Sequence, residues 1–331
     1  MDRILLGHGS GGKMMHQLIR EHFSPVFGIE GTGDSAVVSV PSMRLAYTTD
    51  SYVVTPLFFP GGNIGDLAVC GTVNDLAVAG AEPLFLTAGF IIEEGFPLAD
   101  LKKIVASMAA AAKQAQVRIV AGDTKVVNKG KADGIFINTS GLGVLHEGTD
   151  IAASRIKAGD KVIISGEIGN HGVAIIAERN GLTFDPPVQT DSRPLNDLVR
   201  KMLASAKDIH FMRDPTRGGL ATTLKEAALE SSLCIKIRED ALPIPPQVKG
   251  ACGLLGLDPL YVANEGILIA ILDSLNADAL VAAMKKHPFG RRAAIIGDVI
   301  EAPSGMVLLE TSIGGSRIID MLPGELLPRI C

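Results

Sequence analysis

The sequence predicts an α+β protein of two domains, each a mixed or antiparallel sheet with helices packed on one side, followed by a flexible C-terminal tail. Three observations support this. At 331 residues the chain is too long for one small core. Apolar runs of strand length alternate with helical patterns, but without the regular βα repeat of a doubly wound sheet. The alternation restarts near the turn KAGDKV, which divides the chain into 1–150, 151–311 and a tail, 312–331.

In the first half, GHGSGG leads into KMMHQLIREHF, where Met14, Leu18 and Ile19 recur at helical spacing. Strands are predicted over 35–40 and 44–49. NIGDLAVCGTVNDLAVAGAEP is apolar on nearly every face, which predicts a buried helix ending near Gly80. LFLTAGFII predicts a strand, PLADLKKIVASMAAAAKQAQ a long helix, VRIVAGDTKV a strand running into a loop, and GIFINTSGLGVL another strand. The second half offers VIISG, a helix after NHGVAI, the loop FDPPVQTDSRPLND and a further helix. RGGLATTLKEAALES, LCIKI, PPQVKGACGLLG, ILIAIL, a helix through Met284, AAIIG and MVLLE complete it.

Hydrophobic residues at 47% and charged residues at 20% are a globular balance; with no Trp and 4% aromatics, aliphatic residues must build the core. A formal charge of −5 argues against nucleic-acid or membrane-surface partners. No apolar run reaches the length of a membrane span, and MDRILLGHGSGG lacks the apolar stretch of a signal peptide. Cys70, Cys234, Cys252 and Cys331 lie far apart, a pattern of reduced thiols that predicts a cytoplasmic protein.

Four aspartates sit beside glycines, polar residues or strand ends: Asp34 in GTGDSAV, Asp50 in TTDSY, Asp75 in TVNDLAV and Asp123 in AGDTKV. Such carboxylates suit Mg²⁺, which keeps waters and binds substrate phosphates; each alone is more often a turn or cap residue. Asp75 differs, because an unpartnered carboxylate in an apolar helix is costly and calls for a metal or a specific partner. Lys125 would suit a phosphate. GHGSGGK, with Gly11 and Gly12, resembles a phosphate-cradling loop, though it is not a P-loop because Met14 follows Lys13. In MRDPTRGGLATTL, Asp214 and Arg217 precede two glycines that open a helix, which suits a helix cap or a metal–phosphate contact. His171 lies in the glycine loop ISGEIGNHGVAI. Glu265, in VANEGILIA, is a strand-edge carboxylate or a general base.

Together, GHGSGGK, GTGDSAVV, TTDSYVV, VNDLAVAGAEP, GDTKV, DPTRGGL and VANEG resemble the ATP-using superfamily of aminoimidazole ribonucleotide synthetase over essentially the whole chain. The terminal PRIC resembles the HypE family of hydrogenase maturation proteins within it. The resemblance implies a homodimer whose N-terminal sheets close a β-barrel, with ATP sites near that interface. It implies that Asp34, Asp50, Asp75, Asp123 and Asp214 act with Mg²⁺ on the triphosphate. Asn74, Gly11 and Gly12 would join the nucleotide site, and Lys125 would contact phosphate. Glu265 and His171 carry over to the reaction centre. One departure is the loop GNHG, where GDHG is expected.

The implied reaction is ATP-dependent dehydration of a carbamoyl group on Cys331 to a thiocyanate, the source of the cyanide ligand of NiFe hydrogenases. HypF would load the carbamoyl group, and a HypC–HypD complex would accept the cyanide. The tail would swing about Gly324 and its prolines and dock through Leu326, Leu327 and Ile330. Arg329 would offset repulsion between the thiolate and the terminal carboxylate. Two alternatives remain at this point. A selenophosphate synthetase would want a cysteine where Ser10 stands, and a nonenzymatic nucleotide-binding scaffold would leave Cys331 incidental.

Overall fold

A computed structural model describes residues 12–27, 35–206, 208–322, 327 and 329–331. Gly11, Asp34, Gly324 and Leu326 therefore lie outside the described residues. The N-terminal helix α1 (Lys13–Leu18) continues through a π-helical turn, Ile19–Phe23, into α2 (Ser24–Phe27).

β1 (Ala36–Val40), β2 (Met43–Tyr52), β5 (Ala81–Glu93), β6 (Arg118–Val127) and β7 (Ile135–Leu145) form one sheet, ordered β1-β2-β7-β5-β6. A short hairpin, β3 (Phe58–Phe59) with β4 (Gly62–Asn63), precedes helix α3 (Ile64–Val78). All pairings in the five-stranded sheet are antiparallel except β5 with β6. Helix α4 (Leu98–Ala115) provides the crossover that this parallel pair requires. Ile104, Met108, Ala111, Ala112 and Ala115 form its buried stripe. VRIVAGDTKV is strand throughout rather than strand and loop, and as an edge strand it is exposed almost end to end.

The helices cover one face of this sheet, as expected. Alternation along β2 turns Ala46, Thr48, Asp50 and Tyr52 toward α3, while Met43, Tyr47 and their register partners face outward. Val38, Val40, Met43, Tyr47, Phe85 and Ile91 stand exposed on that open face.

The second unit holds a seven-stranded mixed sheet, ordered β14-β13-β10-β12-β8-β11-β9. Its strands are β8 (Lys161–Ile164), β9 (Ile209–Arg213), β10 (Cys234–Arg238), β11 (Ile269–Leu272), β12 (Ala294–Ile300), β13 (Val307–Glu310) and β14 (Ser316–Ile319). Its helices are α5 (Asn170–Arg179), α6 (Asn196–Ser205), α7 (Gly219–Ser231), α8 (Pro246–Leu255) and α9 (Ser274–Lys285). Here the expectation of helices on one side needs correction. Ile269 and Ile271 pack toward α7, whereas Ala270 and Leu272 pack toward α6 and α9. Consecutive apolar residues without alternation mark a strand buried on both faces.

The tail boundary also moves. Ser316–Ile319 pairs antiparallel with β13, so these residues belong to the sheet and not to a free segment beginning at 312.

Helix α3 belongs to both units. All of its residues except Asp66 and Asp75 are buried. Leu67 and Val73 share a core with Ile175 and Ile176 of α5, while Ala77 and Val78 pack with the second sheet. Gly71 permits the close approach of β2, since a Cβ there would lie 2.3 Å from the Tyr52 hydroxyl. The start of α3 is closed by reciprocal caps: Gly65 N–H donates to Asn63 Oδ1 and Asn63 N–H to Asp66 Oδ1.

Asn74, wholly buried, stitches α3 to the second unit. Its amide donates to the carbonyls of Arg193 and Glu265, both at 3.1 Å, and its oxygen accepts from Leu195 N–H at 2.8 Å. These bonds occupy both amide protons, which corrects the assignment of Asn74 to the nucleotide: it positions the loops instead. Asn74→Ala would leave three buried backbone groups unpaired, at roughly 2–4 kcal/mol of stability. Denaturant unfolding should show that loss. Unchanged stability with weakened ATP binding would return Asn74 to the nucleotide.

Candidate active site

The first wall of the site is the inner row of β2 against α3. Thr48 Oγ1 donates to Asp75 Oδ2 at 2.7 Å, so the carboxylate in the apolar helix has the specific partner its environment demanded. Two residues along, the Tyr52 hydroxyl donates to Asp50 Oδ2 at 3.3 Å. Burial, followed by the Asp50 charge, holds the Tyr52 phenol well above its ordinary pKa, so it remains a neutral donor.

The second wall is built from loops at strand ends. Asp214, buried, and Arg217 occupy the turn between β9 and α7. Gly218 and Gly219, with φ of 76° and 62°, make that turn in the left-handed region, where a Cβ at Gly219 would also lie 2.6 Å from the Leu260 carbonyl. Asn264 binds three loops together. It accepts from Gly169 N–H at 2.6 Å and donates to the carbonyls of Pro215 and Val262. Sequence reasoning passed over it, although a buried amide in VANEG beside an apolar strand was the available signal. Asp191 accepts the N–H groups of Glu265 and Gly266, both at 3.1 Å, and fixes the loop that carries Glu265.

Glu265 is buried, and its Oε1 has no hydrogen-bond partner. Burial raises its pKa well above the carboxylate range; Asp214, Asp191 and Asp50 push the same way and Arg217 opposes them. Burial and the neighbouring acids thus favour the protonated form of Glu265.

The C-terminus closes the site. Val53 N–H donates to the main-chain carboxylate of Cys331 and Thr55 N–H to the carbonyl of Arg329, both at 3.2 Å, adding the last residues to the chain beyond β2. Ile330 is buried, and Leu327 and Cys331 pack against the first core. Burial pushes the Cys331 thiol up to about 12, with Arg217 opposing, and Glu265, Asp50 and Asp214 reinforcing. The Cys331 charge is in turn the largest influence raising Arg217. Arg217 is solvent-accessible, as a side chain lining a cleft must be. Arg329 does not serve the thiol as expected. Its guanidinium pairs with Asp133, donates to the Val53 carbonyl and lies over Phe136, drawn away by those partners.

The structure thus brings together Cys331, Glu265, Asp50, Asp214 and Arg217, with the unforeseen Tyr52. Asp75 stands behind Asp50 on the strand–helix seam. His171, wholly buried, bonds Thr190 and the Ile330 carbonyl and does not face the thiol cluster as a free base. Asp123 and Lys125 pair with each other at 2.8 Å on the exposed edge strand. Asp123 is in register with Gly89, Asn138 and Ser51, the row on the opposite sheet face from Asp50, so one chain does not gather all the aspartates. Gly12 starts α1, which is anchored by Lys13–Asp320 and His16–Glu226 ion pairs. No helix among the described residues is long and apolar enough to cross a membrane.

Comparison with known proteins agrees with this arrangement. The N-terminal domain of AIR synthase related proteins matches residues 32–145, and the C-terminal domain matches 157–309. Carbamoyl dehydratase HypE of Bradyrhizobium diazoefficiens is 54% identical over 330 residues, covering 98% of this chain and 95% of that protein. A chain in the crystal structure of a HypE–HypF complex superposes with a TM-score of 0.88 at 50% identity, covering 92% of this chain and 99% of that one. A HypE crystallised with ATP gives a TM-score of 0.85 at 46% identity over 99% of this chain and 100% of that one. Two matched domains, full-length identity and a C-terminal cysteine seated between them place this chain in the HypE family of carbamoyl dehydratases.

Proposed function

We propose that this chain uses ATP to dehydrate a carbamoyl group carried on Cys331 to a thiocyanate, which supplies the cyanide ligand of a NiFe hydrogenase. One observation carries the reading: Cys331 packs on the first core, tied to Val53, where the Arg217 guanidinium and the buried, unpartnered Glu265 carboxyl both act on its thiol. An amide oxygen leaves poorly, and phosphorylation converts it to a good leaving group. Arg217 is placed to stabilise negative charge that grows on the oxygen beside Cys331. Glu265 holds its proton against three aspartates. Neutralising their charge would lower its pKa and turn it into the base that takes an N–H proton.

Among the described residues, no three acidic, imidazole or thiol groups converge on a metal position. One or two carboxylates per ion, with phosphates and water, suffice for Mg²⁺, and the unpartnered Glu265 oxygen beside Asp50 and Asp214 fits such a cation. Asp50 and Asp214 would hold it, with Asp75 and Asp34 completing the set; its charge would neutralise the triphosphate. HypF would load the carbamoyl group, and a HypC–HypD complex would accept the cyanide. The open apolar face of the first sheet supports a homodimer, in which Asp123 and Lys125 lie toward the interface and reach the nucleotide there.

Mass spectrometry of the C-terminal peptide, after incubation with HypF and carbamoyl phosphate, should find Cys331 carbamoylated without hydrolysable ATP and dehydrated with it. Chelating divalent cations should stop the second step. An unmodified Cys331 in every case would sink the reading.

Glu265→Gln should abolish dehydration but not loading. It should also change stability against pH. The folded protein favours the protonated acid, so the contribution of Glu265 to stability is full below the ordinary carboxylate range and is lost as pH rises through its raised pKa. Melts from about pH 5 to about pH 9 should show a smaller loss in Glu265→Gln, which cannot ionise; equal losses would contradict the buried-acid assignment. Tyr47→Asp, on the open face, should sediment as a monomer while wild type sediments as a dimer. Wild-type monomers would refute the dimer.

A further inference from the structure

Helix α5 touches the tail at both of its ends. In its first turn, His171 Nε2 lies 2.8 Å from the Ile330 carbonyl oxygen and Nδ1 lies 2.8 Å from Thr190 Oγ1. A carbonyl only accepts, so Nε2 carries the proton and Nδ1 accepts from the Thr190 hydroxyl. Thr190 Oγ1 in turn accepts Ser192 N–H at 3.1 Å. The imidazole is held by this chain of donors and by the edge of Phe59, and burial keeps it neutral. In the last turn, Arg179 donates through Nη2 to the Arg329 carbonyl at 2.9 Å, and through Nε and Nη2 to the Thr55 carbonyl at 3.0 and 2.6 Å. Both contacts on the tail are to main-chain carbonyls, so they survive any change at the cysteine sulfur. Arg329 sits at φ 51°, a left-handed conformation costly for a non-glycine residue, and the Arg179 bond to its carbonyl adds to those from Thr55 and to Asp133 that hold it there.

We propose that α5 is the latch that retains the tail in the cleft, with His171 and Arg179 as positioning residues that seat Cys331 by its two preceding carbonyls. His171 is thus assigned to holding the tail and not to proton transfer. The naming of the chemical steps rests on the function proposed above; the latch itself does not.

Two measurements on the full-length protein test this. The first is the alkylation rate of each cysteine by iodoacetamide, read peptide by peptide in the mass spectrometer. Losing one buried bond and stranding its carbonyl shifts docking enough that Cys331 should react about tenfold faster in His171→Leu and in Arg179→Met. In His171→Gln the amide can still donate to Ile330, so Cys331 should stay within about threefold of wild type. Cys70, Cys234 and Cys252 are buried and report on the fold. If they react in His171→Leu, that variant has unfolded and Arg179→Met decides alone. Wild-type alkylation of Cys331 in both variants, with the three buried thiols protected, overturns the latch.

The second measurement is dehydration of a loaded Cys331 against pH. A latch predicts that His171→Gln keeps the wild-type pH profile, whereas a proton-transfer role predicts loss of activity with docking intact. That second result would overturn the positioning assignment. Absence of dehydration in wild type would refute the proposed reaction and leave the alkylation result to judge the latch.

Discussion

The molecule depends on one buried contact between its halves, the junction of α3 with the loops of the second unit. Helix α3 exposes no apolar surface to solvent because the first sheet, α4, α5 and the second sheet all pack on it. A helix enclosed this way has no tolerance for unpaired polar groups, and Asn74 pairs three backbone groups that the loops would otherwise bury unsatisfied. Those loops carry Arg193, Leu195 and Glu265. The amide thereby sets where the second wall of the cleft stands relative to Asp50 and Asp75 on the first.

Within the cleft, charge is unbalanced by design of the fold. Asp214, Asp191 and Asp50 bear on Glu265, and the Arg217 guanidinium opposes them there. The low-dielectric surroundings resolve the imbalance by keeping Glu265 and Cys331 protonated. A docked Cys331 is therefore a poor nucleophile. In the function proposed above, the same acids would attract a cation and, through it, phosphate.

Much of the fold was legible. The buried character of α3, the long helix α4 and the mixed or antiparallel character of the sheets follow from periodicity and from the lengths of apolar runs. ILIAIL held the information that its strand is covered on both faces, since consecutive apolar residues leave no polar face for water. Individual roles were less legible. Asp123 and Lys125 share a short motif, but an odd number of residues along a strand sends a side chain to the far face of the sheet. Only the register across three neighbouring strands shows which face that is. His171 read as a glycine-loop histidine with chemical potential. Its two nitrogens were assigned by Thr190 and Ile330, which stand 19 and 159 residues away.

The sequence by itself determined the two units, the acidic motifs and the family. Each is recorded in local pattern: apolar period, turn residues, and short motifs in a fixed order. The tertiary structure decided that Arg217, and not Arg329, faces the thiol, that Asn74 holds loops, and that α5 grips the tail. Those outcomes depend on which distant groups arrive at hydrogen-bonding distance after packing. Hydrogen bonds are short-ranged and directional, so nothing in the local pattern of either partner states that they will meet.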